Sequence, residues 1–273
     1  MGYITLGYTS VYATPAETID AASFAGFESV GIRITGRKPA DPDLGVVGFP
    51  AAIADIKKRL DGGGLRLSNV STYHFHPELR LDDLLPVLDA TAELGASFMV
   101  ASCYETDEGR YVEKLAGCCE AAARLNIRVA LEFIPYSAAR TIGHARHLVK
   151  KTGQSNAGIL VDSLHLDRSG GTPTDLARIE PELIHFAQLC DAISERPLSA
   201  EDLRAEAIGG RLYPGDGALP LHDFMDALPP DTEIECETPN SVLKDISANE
   251  RARRAGVALR LFLEHNKARR MQS

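Results

Sequence analysis

The sequence of 273 residues lacks the features that would place it in a membrane or outside the cell. No segment reaches the roughly 20 consecutive apolar residues that a membrane-spanning helix needs. The N-terminal residues MGYITLGYTSVY contain no basic stretch followed by a long apolar one, so we expect no signal peptide. The five cysteines are odd in number and form no CxxC motif, which argues against a disulfide framework and a zinc knuckle. We therefore expect a reduced, cytoplasmic protein with no membrane partner.

Positive charge is scarce as well. The sequence has 29 Lys and Arg against 38 Asp and Glu, which gives a net charge of −9. A protein of this charge repels a phosphate backbone unless it carries a strong basic patch. The basic groups at 251–254 and 267–270 have helical spacing and indicate a solvated helix face. We therefore expect no nucleic acid partner, and a small molecule as the substrate.

What the sequence does contain is a regular alternation of short β-branched runs with longer amphipathic runs. Thr14, Pro15 and Glu17 have the layout of a helix cap, and the DGGG segment at 61–64 is a helix stop signal. Eight rounds can be counted. The predicted strands cover 3–8, 29–34, 65–72, 97–102, 127–133, 156–162, 183–190 and 232–238. The predicted helices cover 15–25, 49–60, 81–94, 109–124, 141–151, 174–178, 219–228 and 248–268.

Strict alternation of strand and helix implies parallel strands joined by right-handed crossovers. Eight units without a linker or a shift in composition predict one α/β domain, residues 1–273, folded as a closed (β/α)8 TIM barrel. A doubly wound open sheet is the alternative. Its nucleotide-binding forms have a Gly-rich turn after the first strand, and none is found here.

Three predicted strands in the second half of the sequence end in an acid, namely Glu132, Asp162 and Glu237. The strand between the last two supplies Gln188. In an α/β barrel the active site forms at the carboxyl ends of the strands, so these four side chains should converge. Crowded carboxylates repel unless a cation is present. Their oxygens suit Mg²⁺ or Mn²⁺, with Co²⁺ as a third candidate; ordinary exposed acids at loop starts are the alternative.

Basic side chains near these acids are candidates for catalysis and substrate binding. His165 follows Asp162 by three residues and could act as a general acid or base, or orient substrate; a structural histidine is the alternative. Arg211 precedes a PGDG turn, where it could clamp a carboxylate or phosphate or form a surface salt bridge. Arg168 follows His165 by three residues and is a further candidate for substrate binding.

Two more positions bear on the same mouth of the barrel. The YHFH segment offers His74 or His76 at the end of the third predicted strand. Glu235 shares a strand face with Glu237 but lies one layer deeper, so we predict a buried partner for it rather than a metal.

This pattern resembles the xylose isomerase-like TIM-barrel superfamily, in the branch of sugar phosphate isomerases and epimerases. The similarity extends over nearly the whole chain and is strongest from VALEFIPY to ECETPN. It implies that one divalent cation is held by Glu132, Asp162, Gln188 and Glu237. The DxxH spacing of Asp162 and His165 and the RxxPGxG segment from 211 to 217 also match. Members are often dimers or tetramers, so the resemblance implies a homo-oligomer.

Members of this family act beside a carbonyl group. The resemblance predicts an isomerase or epimerase of a small polyhydroxylated carbonyl compound, working through a metal-stabilised enediolate. In it Glu132, Glu237 and His165 would be catalytic, and Arg211, Arg168 and His74 would hold the substrate. A lyase similar to 3-dehydroshikimate dehydratase is the alternative. Typical epimerases have a histidine on the seventh strand, whereas this chain has Gln188 there, in a QLxDA segment that resembles those dehydratases.

Two other readings compete with these enzymes. Apurinic endonucleases share the barrel, but they need about three zinc ions on many histidines and a grip on DNA, and this chain has eight histidines and a charge of −9. A catalytically silent barrel would act as a binding or regulatory partner, and the intact set of ligands argues against it.

Overall fold

The computed structural model describes residues 2–8, 13–38 and 41–272. Eight parallel strands form a closed barrel in the order β1 to β8, and β8 pairs with β1. The predicted (β/α)8 TIM barrel is confirmed. The strands are β1 (Ile4–Leu6), β2 (Ser29–Ile32), β3 (Arg66–Phe75), β4 (Phe98–Cys103), β5 (Arg128–Glu132), β6 (Ala157–Asp162), β7 (Ile184–Leu189) and β8 (Ile234–Cys236).

Helices connect the strands around the outside of the barrel. In the described segments none of them is both long and apolar enough to cross a bilayer. The helices are α1 (Pro15–Phe24), α2 (Pro50–Gly63), α3 (Leu81–Glu93), α4 (Glu108–Ala123), α5 (Ile142–Thr152), α6 (Ser163–Arg168), α7 (Pro173–Leu176), α8 (Ala200–Gly209), α9 (Leu221–Ala227) and α10 (Ala248–Arg270), with 3₁₀ turns at Pro181–Leu183 and Ser241–Leu243.

The local signals in the sequence mark the helix ends correctly. Thr14 and Glu17 form a reciprocal capping box at the start of α1, with Pro15 in its first turn. Gly64 ends α2 in the left-handed region, with φ of 63°. Helices α6 and α8 were not predicted. Helix α6 has only six residues, and α8 buries Ala207 alone, so neither shows the apolar period of a packed helix.

The interior of the barrel is filled in layers that lead up to the site. A tightly buried apolar cluster consists of Phe98, Val100, Ala130, Leu160 and Phe186. The last three precede a polar residue of the same strand by two positions, and side chains two apart share a face. The apolar layer therefore supports a polar layer at the carboxyl ends of β5, β6 and β7.

Candidate active site

A cavity of about 370 Å³ opens at the carboxyl ends of the strands. Among the predicted site residues, its lining includes Glu132, Glu237, His165, Arg211 and His74. Concave sites of this size at the carboxyl face of a barrel are the usual binding sites for small molecules. The cavity is therefore the candidate active site.

Helix α6 brings His165 to the carboxylate of Glu132. Asp162 ends β6 and caps this helix, because its Oδ1 accepts the N–H groups of Leu164 at 2.7 Å and His165 at 3.0 Å. The His165 Nε2 then lies 3.6 Å from Oε1 of Glu132. Potential metal-ligating atoms of Glu132, Asp162 and His165 all lie within 4.8 Å of one another. The DxxH spacing works because three residues are close to one helical turn.

Arg211 stands between two of the acids. Its Nη1 donates to Oδ2 of Asp162 at 2.5 Å, and its Nη2 lies 3.0 Å from Oε2 of Glu237. Its Nε donates to the carbonyl oxygen of Ala207 at 2.9 Å. The guanidinium is buried and engaged by protein groups on both sides. It supplies one positive charge within a group of three carboxylates.

The loop that carries Arg211 is held by Asp191, just after β7. The carboxylate of Asp191 accepts the backbone N–H groups of Ala192, Gly215 and Leu219 at 2.9 to 3.1 Å. The backbones of Asp191 and Leu212 also pair with each other. The RxxPGxG segment therefore fixes the position of Arg211 through its turn.

Burial and neighbouring charges shift the pKa values of the site residues in different directions. Burial, with Glu237 and Asp162 nearby, raises the pKa of Glu132, and burial raises the pKa of Glu237 despite Arg211. Burial would raise the pKa of Asp162 too, but Arg211 and His165 outweigh it and hold that pKa below its ordinary value. Burial lowers the pKa of His165 to about 4, so its imidazole is neutral at pH 7.

Gln188 lies in β7, in register with Asp162 on one side and Glu235 on the other. Its Nε2 donates to Oε1 of Glu235 at 2.7 Å, which directs its Oε1 elsewhere. That oxygen is buried and has no hydrogen-bond donor among the described residues. A buried acceptor without a donor, next to a cluster of two carboxylates and an imidazole, fits a divalent cation. Residues Glu132, Asp162, His165 and Gln188 would hold it. Glu237, which the sequence also predicts as a ligand, contacts Arg211, as Asp162 does.

Glu235 lies below the mouth, inside the barrel, and has buried partners as expected. Its Oε2 accepts from Nδ2 of Asn69 at 2.5 Å, and its Oε1 accepts from Gln188. The space that it fills is left by glycines: a β-carbon on Gly7 or on Gly31 would come within 2.6 Å of a Glu235 oxygen. Glu235, Gly7 and Gly31 therefore lie together in one layer of the barrel interior.

Arg168 does not reach the cavity. It donates from Nε and Nη2 to the carboxylate of Glu206 at 2.8 and 2.7 Å, and it also contacts Asp167 and the carbonyl oxygen of Ile193. The sequence predicts that Arg168 holds the substrate. In the structure its side chain instead links α6 to α8. Arg168 lies in the last turn of α6, and its side chain contacts α8, a helix that was not predicted from the sequence.

Of the two candidate histidines in β3 and just after it, only His74 belongs to the described lining of the cavity. Its ring stacks on Tyr104, with ring centroids 4.3 Å apart. Burial, with Arg37 and His76 nearby, lowers its pKa to about 3. His76 stacks on Tyr104 as well, at 5.3 Å.

The lining also contains polar residues that the sequence did not single out. They include two arginines near the end of β2, one arginine of α8 and three tyrosines, namely Arg33, Arg37, Arg204, Tyr8, Tyr104 and Tyr136. Arg33 can be recognised from the sequence, because it follows the run VGI at 30–32 in the way that Glu132 follows VAL at 129–131. A basic residue at the carboxyl end of a barrel strand therefore indicates a site residue just as an acidic one does.

The chain is similar in sequence to a curated enzyme and in structure to several solved proteins. Among curated proteins, the 3-dehydroshikimate dehydratase of Pseudomonas aeruginosa is 25% identical over 234 residues. The match takes in 81% of this chain and 35% of that protein, so the chain spans about a third of the relative's length.

Solved structures show the same fold. The IolI protein, solved with a zinc atom, superimposes with a TM-score of 0.78 at 15% identity, over 94% of this chain and 96% of that one. The D-psicose 3-epimerase of Clostridium cellulolyticum H10 gives a TM-score of 0.71 at 13% identity, over 96% and 98%. Two of these three proteins, the dehydratase and the epimerase, are enzymes by name. The profile described as "Xylose isomerase-like TIM barrel" matches residues 19–263. The chain belongs to the xylose isomerase-like TIM barrel family.

Proposed function

We propose that the chain is a divalent-metal-dependent enzyme that moves a proton on the carbon next to a carbonyl group of a small polyhydroxylated compound. The observation that carries the proposal is the convergence of Glu132, Asp162 and His165, whose potential ligating atoms lie within 4.8 Å of one another, beside a cavity that Glu132 and His165 line. A bound divalent cation would polarise the carbonyl and make the adjacent C–H more acidic.

The side chains around that point are suited to handling the proton. Glu132 and Glu237 both line the cavity, and the pKa of each is raised, so each can hold a proton closer to neutral pH than an exposed glutamate can. His165 is neutral and lies 3.6 Å from Glu132. Arg211 keeps Asp162 ionised.

An isomerase or epimerase is the activity that this pair of glutamates supports best. One glutamate removes the proton from the carbon beside the carbonyl, and the other returns a proton to the opposite face of that carbon or to its neighbour. Return to the opposite face inverts a stereocentre, and return to the neighbouring carbon exchanges ketose and aldose. No further reactant is needed for either outcome.

A dehydratase is the second candidate, and two observations favour it. The curated relative is a 3-dehydroshikimate dehydratase, and β7 carries Gln188 with a buried free oxygen. In this reaction the same proton is removed, a hydroxyl group leaves from the next carbon, and the proton and hydroxyl depart as water. The two candidates share the first step and differ in the product.

Deuterium uptake tests the shared step. The protein, supplied with Mn²⁺, is incubated in D₂O with ketoses, hydroxypyruvate or 3-dehydroshikimate, and the mass of each compound is followed. One compound should gain deuterium beside its carbonyl, and Glu132→Gln should lower that rate by about 100-fold or more. Glu108→Gln, the same change at an exposed position of helix α4, should leave the rate unchanged.

The product then separates the two candidates, because dehydration lowers the mass by one water and epimerisation leaves it unchanged apart from deuterium. If no compound exchanges and Glu132→Gln binds Mn²⁺ as the wild type does, the converging acids are structural and the proposal fails.

A further inference from the structure

The cavity is rich in arginine although the chain as a whole is acidic. Four arginines and two glutamates belong to its described lining, in a protein of net charge −9. Arg211 is already paired with Asp162 and Glu237. The other three arginines are Arg33, Arg37 and Arg204, and no carboxylate of the described residues forms an ion pair with any of them. The cavity therefore presents three arginines that form no ion pair with a carboxylate of the described residues, although the charges of Arg33 and Arg37 act on Glu237 and partly offset the rise in its pKa.

Arg33 is the most enclosed of the three. It directly follows the last residue of β2, Ile32, and its guanidinium lies over the ring of Tyr8, 4.9 Å from the centroid. Its Nε is buried and has no acceptor among the described residues. Burial, with Arg37 nearby, lowers its pKa from the ordinary value, although Tyr8, which also hydrogen-bonds to it, and Glu237 act in the opposite direction. An enclosed arginine with a free donor is costly unless a ligand completes it.

Arg37 is held at the same wall by its backbone. Its N–H donates to Oδ2 of Asp41, and its carbonyl oxygen accepts from the N–H of His74, both at 2.8 Å. These bonds tie the loop after β2 to β3 and hold Arg37 in the lining of the cavity. Both Arg33 and Arg37 contribute to the low pKa of His74, so the positive potential at this wall is felt by a neighbouring side chain.

We infer that Arg33 and Arg37 bind an anionic group of the substrate, a carboxylate or a phosphate. Guanidinium groups bind both anions through paired N–H donors, and a neutral sugar offers no matching group. The inference deepens the proposed function and rests on it, since the rest of the same molecule has to reach Glu132 and Glu237 across the cavity. Arg211, which the sequence offered as the clamp, has its donors committed to Asp162, Glu237 and Ala207.

Matched pairs of ligands test the inference by calorimetry with the Mn²⁺-loaded protein. Shikimate is compared with its methyl ester, and D-fructose 6-phosphate with D-fructose, so each pair differs in its anion. The anionic member of one pair should bind about tenfold or more tightly than its neutral partner. The pair that shows the preference identifies the anion as carboxylate or phosphate.

Variants connect that preference to the two arginines. Arg33→Gln and Arg37→Gln should each lower the affinity for the anion by about tenfold or more and leave the neutral compound unaffected. Arg33→Lys keeps the charge and should restore part of the affinity, which separates loss of charge from misfolding. Arg128→Gln is the control, because Arg128 also lies over an aromatic ring, that of Phe98, but at the start of β5.

The outcomes of this test and of the deuterium test are distinguishable. If a neutral ketose exchanges deuterium, no anion is preferred and the arginine variants bind like the wild type, the anion site is wrong and the proposed function stands. If the anion preference depends on Arg33 and Arg37 but no compound exchanges, the anion site stands and the proposed chemistry is wrong.

Discussion

Replacement of Arg211 by methionine should destabilise the metal-free protein by about 5 kcal/mol at pH 8. Removing one partner of a buried ion pair costs roughly 3–5 kcal/mol, because the other charge is left uncompensated. Arg211 faces two such partners, Asp162 and Glu237, and the variant also loses the hydrogen bond to Ala207, worth about 1 kcal/mol. Since domains are commonly stable by only about 5–15 kcal/mol, the variant should be close to unfolding.

The loss should depend on pH in a defined direction. Arg211 helps to hold the pKa of Asp162 below its ordinary value, so it contributes stability that is present above that ordinary value and lost as the pH falls through the lower, folded value. Without Arg211 the carboxylates favour their protonated forms. Arg211→Met should therefore be most harmful at alkaline pH and progressively less harmful toward pH 4.

Urea unfolding followed by circular dichroism measures this effect, with and without Mn²⁺. A divalent cation among the acids should restore part of the lost stability, because it replaces the missing positive charge. Arg168→Met is the control. The side chain of Arg168 is as buried as that of Arg211, and it pairs with Glu206 and Asp167 away from the cavity. Mn²⁺ should therefore stabilise Arg168→Met no more than it stabilises the wild type. The reasoning is refuted if Arg211→Met loses less than about 1 kcal/mol, or if Mn²⁺ stabilises both variants equally.

Two further predictions concern the layer beneath the site. Gly31→Ala would put a β-carbon 2.6 Å from Oε2 of Glu235, so it should cost about 3 kcal/mol and lower the melting temperature by about 10 °C, whereas Gly143→Ala, with no atom within 4 Å, should not lower it. Burial, together with Glu237, raises the pKa of Glu235 to about 8, so in EDTA the free energy of unfolding should fall as pH rises from about 4.5 to 8. Glu235→Gln should reduce that fall by several kcal/mol over the same pH range, and an unchanged fall in urea titrations would contradict the assignment.

The sequence was sufficient for those features that depend on local pattern. Alternation of strand and helix predicted the barrel, and the apolar runs before Glu132 and Asp162 located the ends of β5 and β6. The spacing of Asp162 and His165 was readable because both lie at one helix start, where geometry is fixed by the backbone.

Features that depend on packing between distant segments were not readable. Whether Arg168 or Arg211 meets Asp162 is decided by where α6, α8 and the loop after β7 lie, and nothing in either local sequence states it. Helix α8 was not predicted because only one of its residues, Ala207, is buried, so no apolar period is visible in its sequence. Arg33 is different, because its place directly after the end of β2 can be read from the sequence.

The sharing of one space by Glu235, Gly7 and Gly31 bears on how the protein can be altered. The glutamate occupies volume that the two glycines leave open, so each of the three positions is constrained by the identity of the other two. A library that varies them singly would report all three as intolerant and give no hint of the reason. A library that varies them together would reach solutions in which a smaller residue at 235 is matched by larger residues at 7 and 31, and the floor of the cavity would change its chemistry as one unit.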